Sequence, residues 1–368
     1  MGLMSGTSMD GIDAALLQID REAMRVRAGR AREWPAQLQR RLRRAAEQSD
    51  STGLAELGEL DTAVGIELAQ AAAELLRAES LPAAAVRAVG SHGQTLLHRP
   101  AGDLAFTLQI GDPNIIAERL GVDVVADFRR RDLAAGGEGA PLMPAFHAAA
   151  FGTGGQTRAV VNIGGMANVT LLRADGSVIG FDTGPGNCLL DAWARRHIGQ
   201  PFDAQGRWAA GGRAIAPLLA RLLADPYFAR PAPKSTGRET FSDAWLEGAL
   251  ADEPAERAPA DIQATLAELS AQSIATALAP PGGDIPADVF VCGGGAFNVD
   301  LMQRLAHALP QARWQSTAAC GIAPEHVEAA GFAWLAHRCI EGLAGNLPSV
   351  TGARHPVPLG AIFRGRLA

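Results

Sequence analysis

The chain has 368 residues, 48% of them hydrophobic and 20% charged, so it can fill two cores and is not a largely disordered polymer. Its 33 Lys+Arg against 39 Asp+Glu leave a formal net charge of -6, which gives no electrostatic case for nucleic acid or an anionic membrane. Cys188, Cys292, Cys320 and Cys339 form no C-x-x-C pair, which argues against zinc and for free thiols in a reducing compartment.

Met1 leads directly into Gly2-Leu3-Met4-Ser5-Gly6 without a basic region ahead of a long apolar run. No stretch reaches transmembrane length free of Gly, Pro or charge, so a soluble cytoplasmic protein is the expectation. A strand is predicted over Ala14 to Ile19, after the first glycine-rich turn. Helical periodicity follows over Trp34 to Glu47 and Leu54 to Ser80. Ala88 to Ser91, Phe106 to Ile110 and Val122 to Ala126 read as short buried strands. Leu142 to Phe151 reads as a helix with Pro141 at a tolerated first-turn position.

A second series of strands begins at Arg158 to Ile163, which stops at Gly164-Gly165. Asn168 to Leu172 and Val178 to Phe181 flank Asp175-Gly176, a hairpin signal, and the second of them stops at an Asp182 loop. Helices are predicted over Cys188 to His197, Ile262 to Leu278, Val299 to Leu309 and Ala329 to Ile340, with a strand over Val289 to Cys292. Asp225 to Pro259, rich in Pro, Ala and charge, is expected on the surface. The order strand, Gly-rich turn, hairpin, helix occurs near the N-terminus and again from about residue 158. Two α/β halves facing a cleft follow from it.

Three glycine-rich turns carry the chemistry. In the first, Gly6, Thr7, Ser8, Met9, Asp10, Gly11, Ile12 and Asp13 combine amides, hydroxyls and two carboxylates. Such a turn can cradle phosphate oxygens, and Asp10 or Asp13 could hold Mg²⁺ directly or through water. The plainer reading is a hairpin turn with local Asp and Ser bonds, and the turn alone does not separate the two. Asn162, Gly164 and Gly165 form a second turn. The third runs Cys292-Gly293-Gly294-Gly295 and on to Asn298. Amides there could meet an anion, and the missing side chains would let an adenine lie on the backbone. Each could equally be a tight strand-to-helix connection, but three in one chain favour a nucleotide. No Walker loop or Rossmann fingerprint is present, and Lys234 is the only lysine.

Asp182 opens the run Asp182-Thr183-Gly184-Pro185-Gly186-Asn187 at a strand end, where it could be a general base, a metal ligand or a carboxylate bonded to turn amides. Ser91, His92, Gln94 and Thr95, together with Asp127 and Arg129, follow strand-like runs and are candidate substrate contacts. Glu328 opens the last apolar helix, where it stabilises the helix dipole or serves the cleft. No triad pattern supports hydrolase chemistry.

In combination these motifs resemble the anhydro-N-acetylmuramic acid kinase family. The matches run in order through Gly2 to Asp13, Ser91-His92-Gly93-Gln94-Thr95, Gln109-Ile110-Gly111-Asp112 and Asn162-Ile163-Gly164-Gly165. They continue through Phe181 to Asn187, Cys292 to Gly295 and Val327-Glu328-Ala329-Ala330. Met9 departs from the family's usual leucine by a volume-similar change. The resemblance implies an α/β, two-lobed actin-like ATPase (ribonuclease H-like) fold with an interdomain active-site cleft, binding ATP and Mg²⁺. It implies an N-terminal lobe over 1–135, joined by 345–368, and a C-terminal lobe over 136–344. A homodimer is compatible with it.

The implied reaction opens the 1,6-anhydro ring of 1,6-anhydro-N-acetylmuramic acid and phosphorylates O6, in peptidoglycan recycling in a bacterial cytoplasm. Residues 6 to 13 would then bind phosphate, Asp182 would be the catalytic aspartate and Glu328 a second catalytic group. O6 carries no proton in this substrate, so Asp182 must activate a water for attack at C1. Arg129 to Arg131 are candidates for the sugar's lactyl carboxylate. The alternatives are an ordinary hexose or amino-sugar kinase, or a nucleotide-dependent binding module without a sugar substrate.

Overall fold

The computed structural model describes residues 1–20, 23–232, 234–237, 239–251, 257–280 and 283–365. Its contacts divide the chain into Met1–Ala150 with His326–Ala368, and Phe151–Glu325.

In the first unit, strands β1 (Gly2–Ser5), β2 (Gly11–Ile19), β3 (Met24–Glu33), β4 (Val89–Arg99), β5 (Phe106–Ile110) and β6 (Val124–Ala126) join the C-terminal strand Ala361–Phe363 in one sheet. β1, β2 and β3 are antiparallel neighbours, while β4 runs parallel to β1 and β6 parallel to β4. Alternation along β2 turns Ile12, Ala14 and Leu16 into the core. There they share one cluster with Leu60, Val64, Leu68 and Leu75, the apolar stripe of the helix Leu54–Ala78.

The helix Val327–Ile340 packs on β1, β2 and β4, which is why residues 326–344 belong with this unit. It comes so close that a Cβ on Gly2 would lie 1.8 Å from the Ala329 carbonyl oxygen, and one on Gly90 2.1 Å from that of Phe332. Only glycine permits this approach.

In the second unit, β7 (Arg158–Ile163), β8 (Met166–Leu172), β9 (Val178–Pro185), β10 (Asp288–Cys292) and β11 (Arg313–Ser316) form a sheet in the order β11-β10-β7-β8-β9. β7, β8 and β9 are antiparallel, then β10 and β11 run parallel to β7. This repeats the β6-β4-β1-β2-β3 order and directions of the first unit, the duplicated α/β unit of the actin-like fold. Val161, Val169, Phe181 and Val291 pack on Ala271, Ile274 and Leu278 of the helix Pro259–Leu278. At the β8–β9 hairpin Gly176 has φ 84°, and the Ser177 amide donates to Asp175 Oδ1 at 2.8 Å.

Three expectations need correction. The helix Met143–Phe151 begins two residues after Pro141, and Pro144 takes the first-turn position instead. β9 does not stop before Asp182; it continues to Pro185 through an irregularity at which Asp182 pairs with Asn168 and Gly184 with Ala167. One extra residue, Thr183, is thereby accommodated. The stretch 225–259 is not simply surface, since Tyr227, Lys234, Phe241 and Leu246 are buried. Composition misled because few large apolar residues, spaced widely, anchor it. Its residues 233, 238 and 252–256 lie outside the described residues.

Candidate active site

In the second unit, Cys292, Asn162, Asn168 and Asp182 are paired positions forming one row across β10, β7, β8 and β9. Neighbouring strands lie about 4.8 Å apart, so Asp182 stands roughly 10 Å from Asn162 along the row. The adjacent row, Val291, Val161, Val169 and Phe181, points into the core against the helix Pro259–Leu278. The Asp182 row therefore points to the opposite face.

Asp182 is held at three points by the segment that follows the helix Ala216–Leu223. Its amide donates to the Lys234 carbonyl at 2.9 Å, and its own carbonyl accepts from the Tyr227 hydroxyl at 2.7 Å. Its Oδ2 accepts from the Thr236 amide at 3.0 Å. Among the described residues, Oδ1 has no protein partner. Burial raises the Asp182 carboxyl above its ordinary value, and the Thr236 amide opposes this. A carboxylate with one oxygen pinned and one free, partly withdrawn from water, has the geometry of a general base.

The glycine turns of this unit meet at the carboxyl ends of β7 and β10, where open α/β sheets commonly bind ligands. Asn187 and Cys188 donate backbone bonds to Gly164 and Gly165, fastening the β7–β8 turn to the start of the helix Cys188–Ile198. Gly293 has φ 77°, and a Cβ there would meet Asn162 Oδ1 at 2.4 Å. By contrast, a Cβ on Gly164 or Gly294 would meet nothing nearer than 3.6 Å, so their backbones stay open to a flat or anionic ligand. Asn298 acts locally, since its Oδ1 accepts the Leu301 amide at 3.0 Å and caps the helix Val299–Ala308.

In the first unit, Gly6 to Asp10 join β1 to β2. Met9, in the left-handed region at φ 56°, donates its amide to the Gly6 carbonyl at 3.1 Å and buries its side chain. Its carbonyl accepts from Gln39 Nε2 at 2.8 Å. Gln94, fully buried, braces the turn: Nε2 reaches the Gly6 and Thr95 carbonyls, and Oε1 lies 2.8 Å from Ser5 Oγ. Its amide is thus used within the protein. Thr7 stays exposed, and a Cβ on Gly6 would meet only Ser8 Oγ, at 3.7 Å. Gly11 approaches Arg32 on β3, and Ile12 is core.

His92 and Arg129 do form a pair. Arg129 Nε donates to His92 Nε2 at 3.0 Å, so the ring proton sits on Nδ1, which faces the Gly93 carbonyl at 3.0 Å. Arg129 also donates to Gly139 O at 2.9 Å. Burial, aided by the Arg129 charge, holds His92 well below its usual range, so the ring is neutral. Burial brings Arg129 down to about 10, and the Glu328 charge opposes it. Glu328, in the first turn of the helix Val327–Ile340, is raised by burial against the pull of Arg129. Phe332 lies over His92 at a ring distance of 4.6 Å.

The other predicted contacts are more dispersed. Ser91 Oγ is buried without a partner among the described residues, Thr95 Oγ1 accepts from Gln109 at 3.1 Å, and Asp127 pairs with Arg130 at 2.6 Å. Asp10 is exposed and 3.4 Å from Arg43, while Asp13 lies in β2. Among the described residues, no trio of His, Cys, Asp or Glu could hold a metal. An ion held on phosphate oxygens and water would need at most one of these carboxylates.

Sequence reasoning missed Tyr227, Thr236 and the placement of Lys234. The available signal was composition: Tyr227 and Lys234 are the chain's only tyrosine and only lysine, seven positions apart.

Residues 1–365 match the family model for anhydro-N-acetylmuramic acid kinase. A protein of that name from Xanthomonas oryzae pv. oryzae is 52% identical over 366 residues, 99% of this chain and 96% of the relative. One from Pseudomonas paraeruginosa is 51% identical over 372 residues, 99% and 98% respectively. Among solved structures, the activator of the 2-hydroxyisocaproyl-CoA dehydratase from Clostridium difficile with bound ADPNP aligns at TM-score 0.45 and 13% identity, over 90% of this chain and 91% of that one. A ROK family glucokinase from Streptomyces griseus aligns at TM-score 0.39 and 14% identity, over 92% and 98%.

Proposed function

The chain belongs to the anhydro-N-acetylmuramic acid kinase family, and from that premise we propose how its own residues carry the reaction. It is a phosphotransferase that uses ATP to open the 1,6-anhydro ring of 1,6-anhydro-N-acetylmuramic acid and phosphorylate O6, a step of peptidoglycan recycling. The single observation that carries the site assignment is Asp182, with Oδ2 on the Thr236 amide and Oδ1 without a partner among the described residues.

In the bound sugar, O6 is tied to C1 and has no proton to lose. The base must therefore take a proton from water while that water attacks C1. The C1–O6 bond breaks, and O6 forms its bond to the γ-phosphorus as the bond to ADP breaks. Asp182 Oδ1 is the proton acceptor. Burial raises this carboxyl, which makes its ionised form a stronger proton acceptor than an ordinary aspartate. Nucleotide binding is assigned to the open backbones at Gly6, Gly164 and Gly294, with Thr7 and Ser8 as hydroxyl donors. Magnesium would arrive on the phosphates, where it would neutralise charge, with Asp10 or Asp13 as a protein contact. The lactyl carboxylate is assigned to Arg129, whose charge is already balanced in part by Glu328.

Assay of the protein with ATP and 1,6-anhydro-N-acetylmuramic acid, N-acetylmuramic acid or N-acetylglucosamine tests this reading. Turnover confined to the anhydro sugar is expected. Equal or faster turnover of a sugar with a free O6 hydroxyl would make the chain an ordinary amino-sugar kinase.

A further inference from the structure

We infer that Lys234 and Tyr227 are positioning residues for Asp182: together they clamp Tyr227–Phe228 and Lys234–Thr236 against β9 and so fix the base. The inference rests on reading Asp182 as that base.

Lys234 is buried although it carries the chain's one ammonium side chain. Its Nζ donates to the carbonyls of Tyr227 and Phe228, both at 3.1 Å, and lies 4.7 Å from the centre of the Tyr227 ring. Two carbonyls and one aromatic face make a tailored cation site of the cation–π kind. The ammonium ties the two ends of the segment together, 227–228 to 234. The clamped segment then reaches Asp182 three times: through the Tyr227 hydroxyl, the Lys234 carbonyl and the Thr236 amide. Only the last touches the carboxylate. The first two hold the backbone of Asp182 at the strand irregularity opposite Asn168.

The side of the segment away from Asp182 is fixed independently. Phe241 packs edge-on to Tyr227 at 5.5 Å and to Trp245 at 5.0 Å, and Trp245 Nε1 donates to Asp225 Oδ2 at 2.8 Å. A surface loop needing only to cover a sheet edge would not bury a lysine to do so, because desolvating an ammonium is unfavourable unless it is fully coordinated. The charged groups acting on this clamp are Asp182 on Tyr227 and Arg230 on both Tyr227 and Lys234.

Steady-state kinetics of full-length Tyr227→Phe and Lys234→Met, with pH profiles, test the inference. Tyr227→Phe keeps the ring for the ammonium and removes only the hydroxyl, so the fold survives. It should lower kcat about tenfold with KM for ATP unchanged, because a misaligned base loses rate without losing substrate binding. Lys234→Met should lower kcat about a hundredfold and move the acid limb to higher pH, as the Thr236 amide loosens from the carboxylate. In an Asp182→Asn background neither change should lower the residual rate further.

Wild-type kcat and acid limb in Tyr227→Phe, with Asp182→Asn inactive, would overturn the clamp while leaving the base in place. A Lys234→Met protein that merely loses melting temperature, with no shift in the acid limb of its remaining activity, would count the same way. Turnover surviving in Asp182→Asn alone would remove the base assignment and this inference with it.

Discussion

β3 and β9 occupy the same place in their two sheets, third in an antiparallel run, and are built on opposite chemistry. β3 is ten residues long, mostly half-buried or exposed, and rich in arginine. Its Arg32 pairs with Glu67 and Glu74 on the helix Leu54–Ala78. β9 is mostly buried, takes in an extra residue at Thr183, and presents Asp182 to a segment folded over it. The difference teaches that duplicated topology supplies two equivalent frames, while an inserted segment on one frame converts a strand residue into a poised carboxylate. The first unit keeps its unusual electrostatics elsewhere, in His92, Arg129 and Glu328.

The comparison breaks most sharply at Asp182. Asp182→Asn should lower kcat by about a hundred- to ten-thousand-fold while leaving ATP affinity intact, measurable by coupled assay and nucleotide titration. The same variant should melt no earlier than the parent. Burial makes the folded carboxyl pKa higher than the unfolded one, so this group's contribution to stability falls as pH rises between those values. Once ionised, the carboxylate is unfavourable to the fold, and a neutral amide removes that penalty. For the same reason, the acid limb of the parent's kcat/KM should lie above the ordinary aspartate range.

In the first unit the expected effect is on stability. Arg129→Met strands His92 Nε2 and the Gly139 carbonyl without a donor and leaves Glu328 without its opposing charge. A loss of about 3 kcal/mol in urea unfolding is expected. A loss under about 1 kcal/mol would show that the pair is solvated in solution.

Glycines separate the two kinds of turn at a finer level. Gly293→Ala forces a side chain into the left-handed region and onto Asn162, which should destabilise by about 1–3 kcal/mol. Gly164→Ala has room for its methyl and should melt within a degree or two of the parent, yet raise KM for ATP severalfold. Equal melting losses in the two would remove the distinction. Smallest is Asn298→Ala, expected to cost about 1 kcal/mol through the lost cap of the helix Val299–Ala308.

Much of this was legible in the sequence because local chemistry decides it. Phe106–Ile110 and Arg158–Ile163 carry their own apolar patterns and turn signals, and both strands form with those bounds. Glu328 was legible as a first-turn helix residue. What pattern could not reveal was long-range. β3 reads as a charged, exposed segment, since its pairing with β2 rather than its own apolarity makes it a strand. Gln94 reads as a substrate contact until Ser5 and Gly6, almost ninety positions earlier, take up its amide. Asp182 was found, but its partners lie on a segment whose composition resembles a surface loop.

The central claim is that Asp182 takes its proton from water and not from the sugar. The direct measurement is the short-time reaction of ATP with 1,6-anhydro-N-acetylmuramic acid in ¹⁸O-water, with N-acetylmuramic acid as the control for spontaneous exchange at C1. One solvent oxygen on C1 of the product, above that control, and none in the transferred phosphoryl group is the predicted result. A product whose C1 oxygen carries no more label than the control would contradict it.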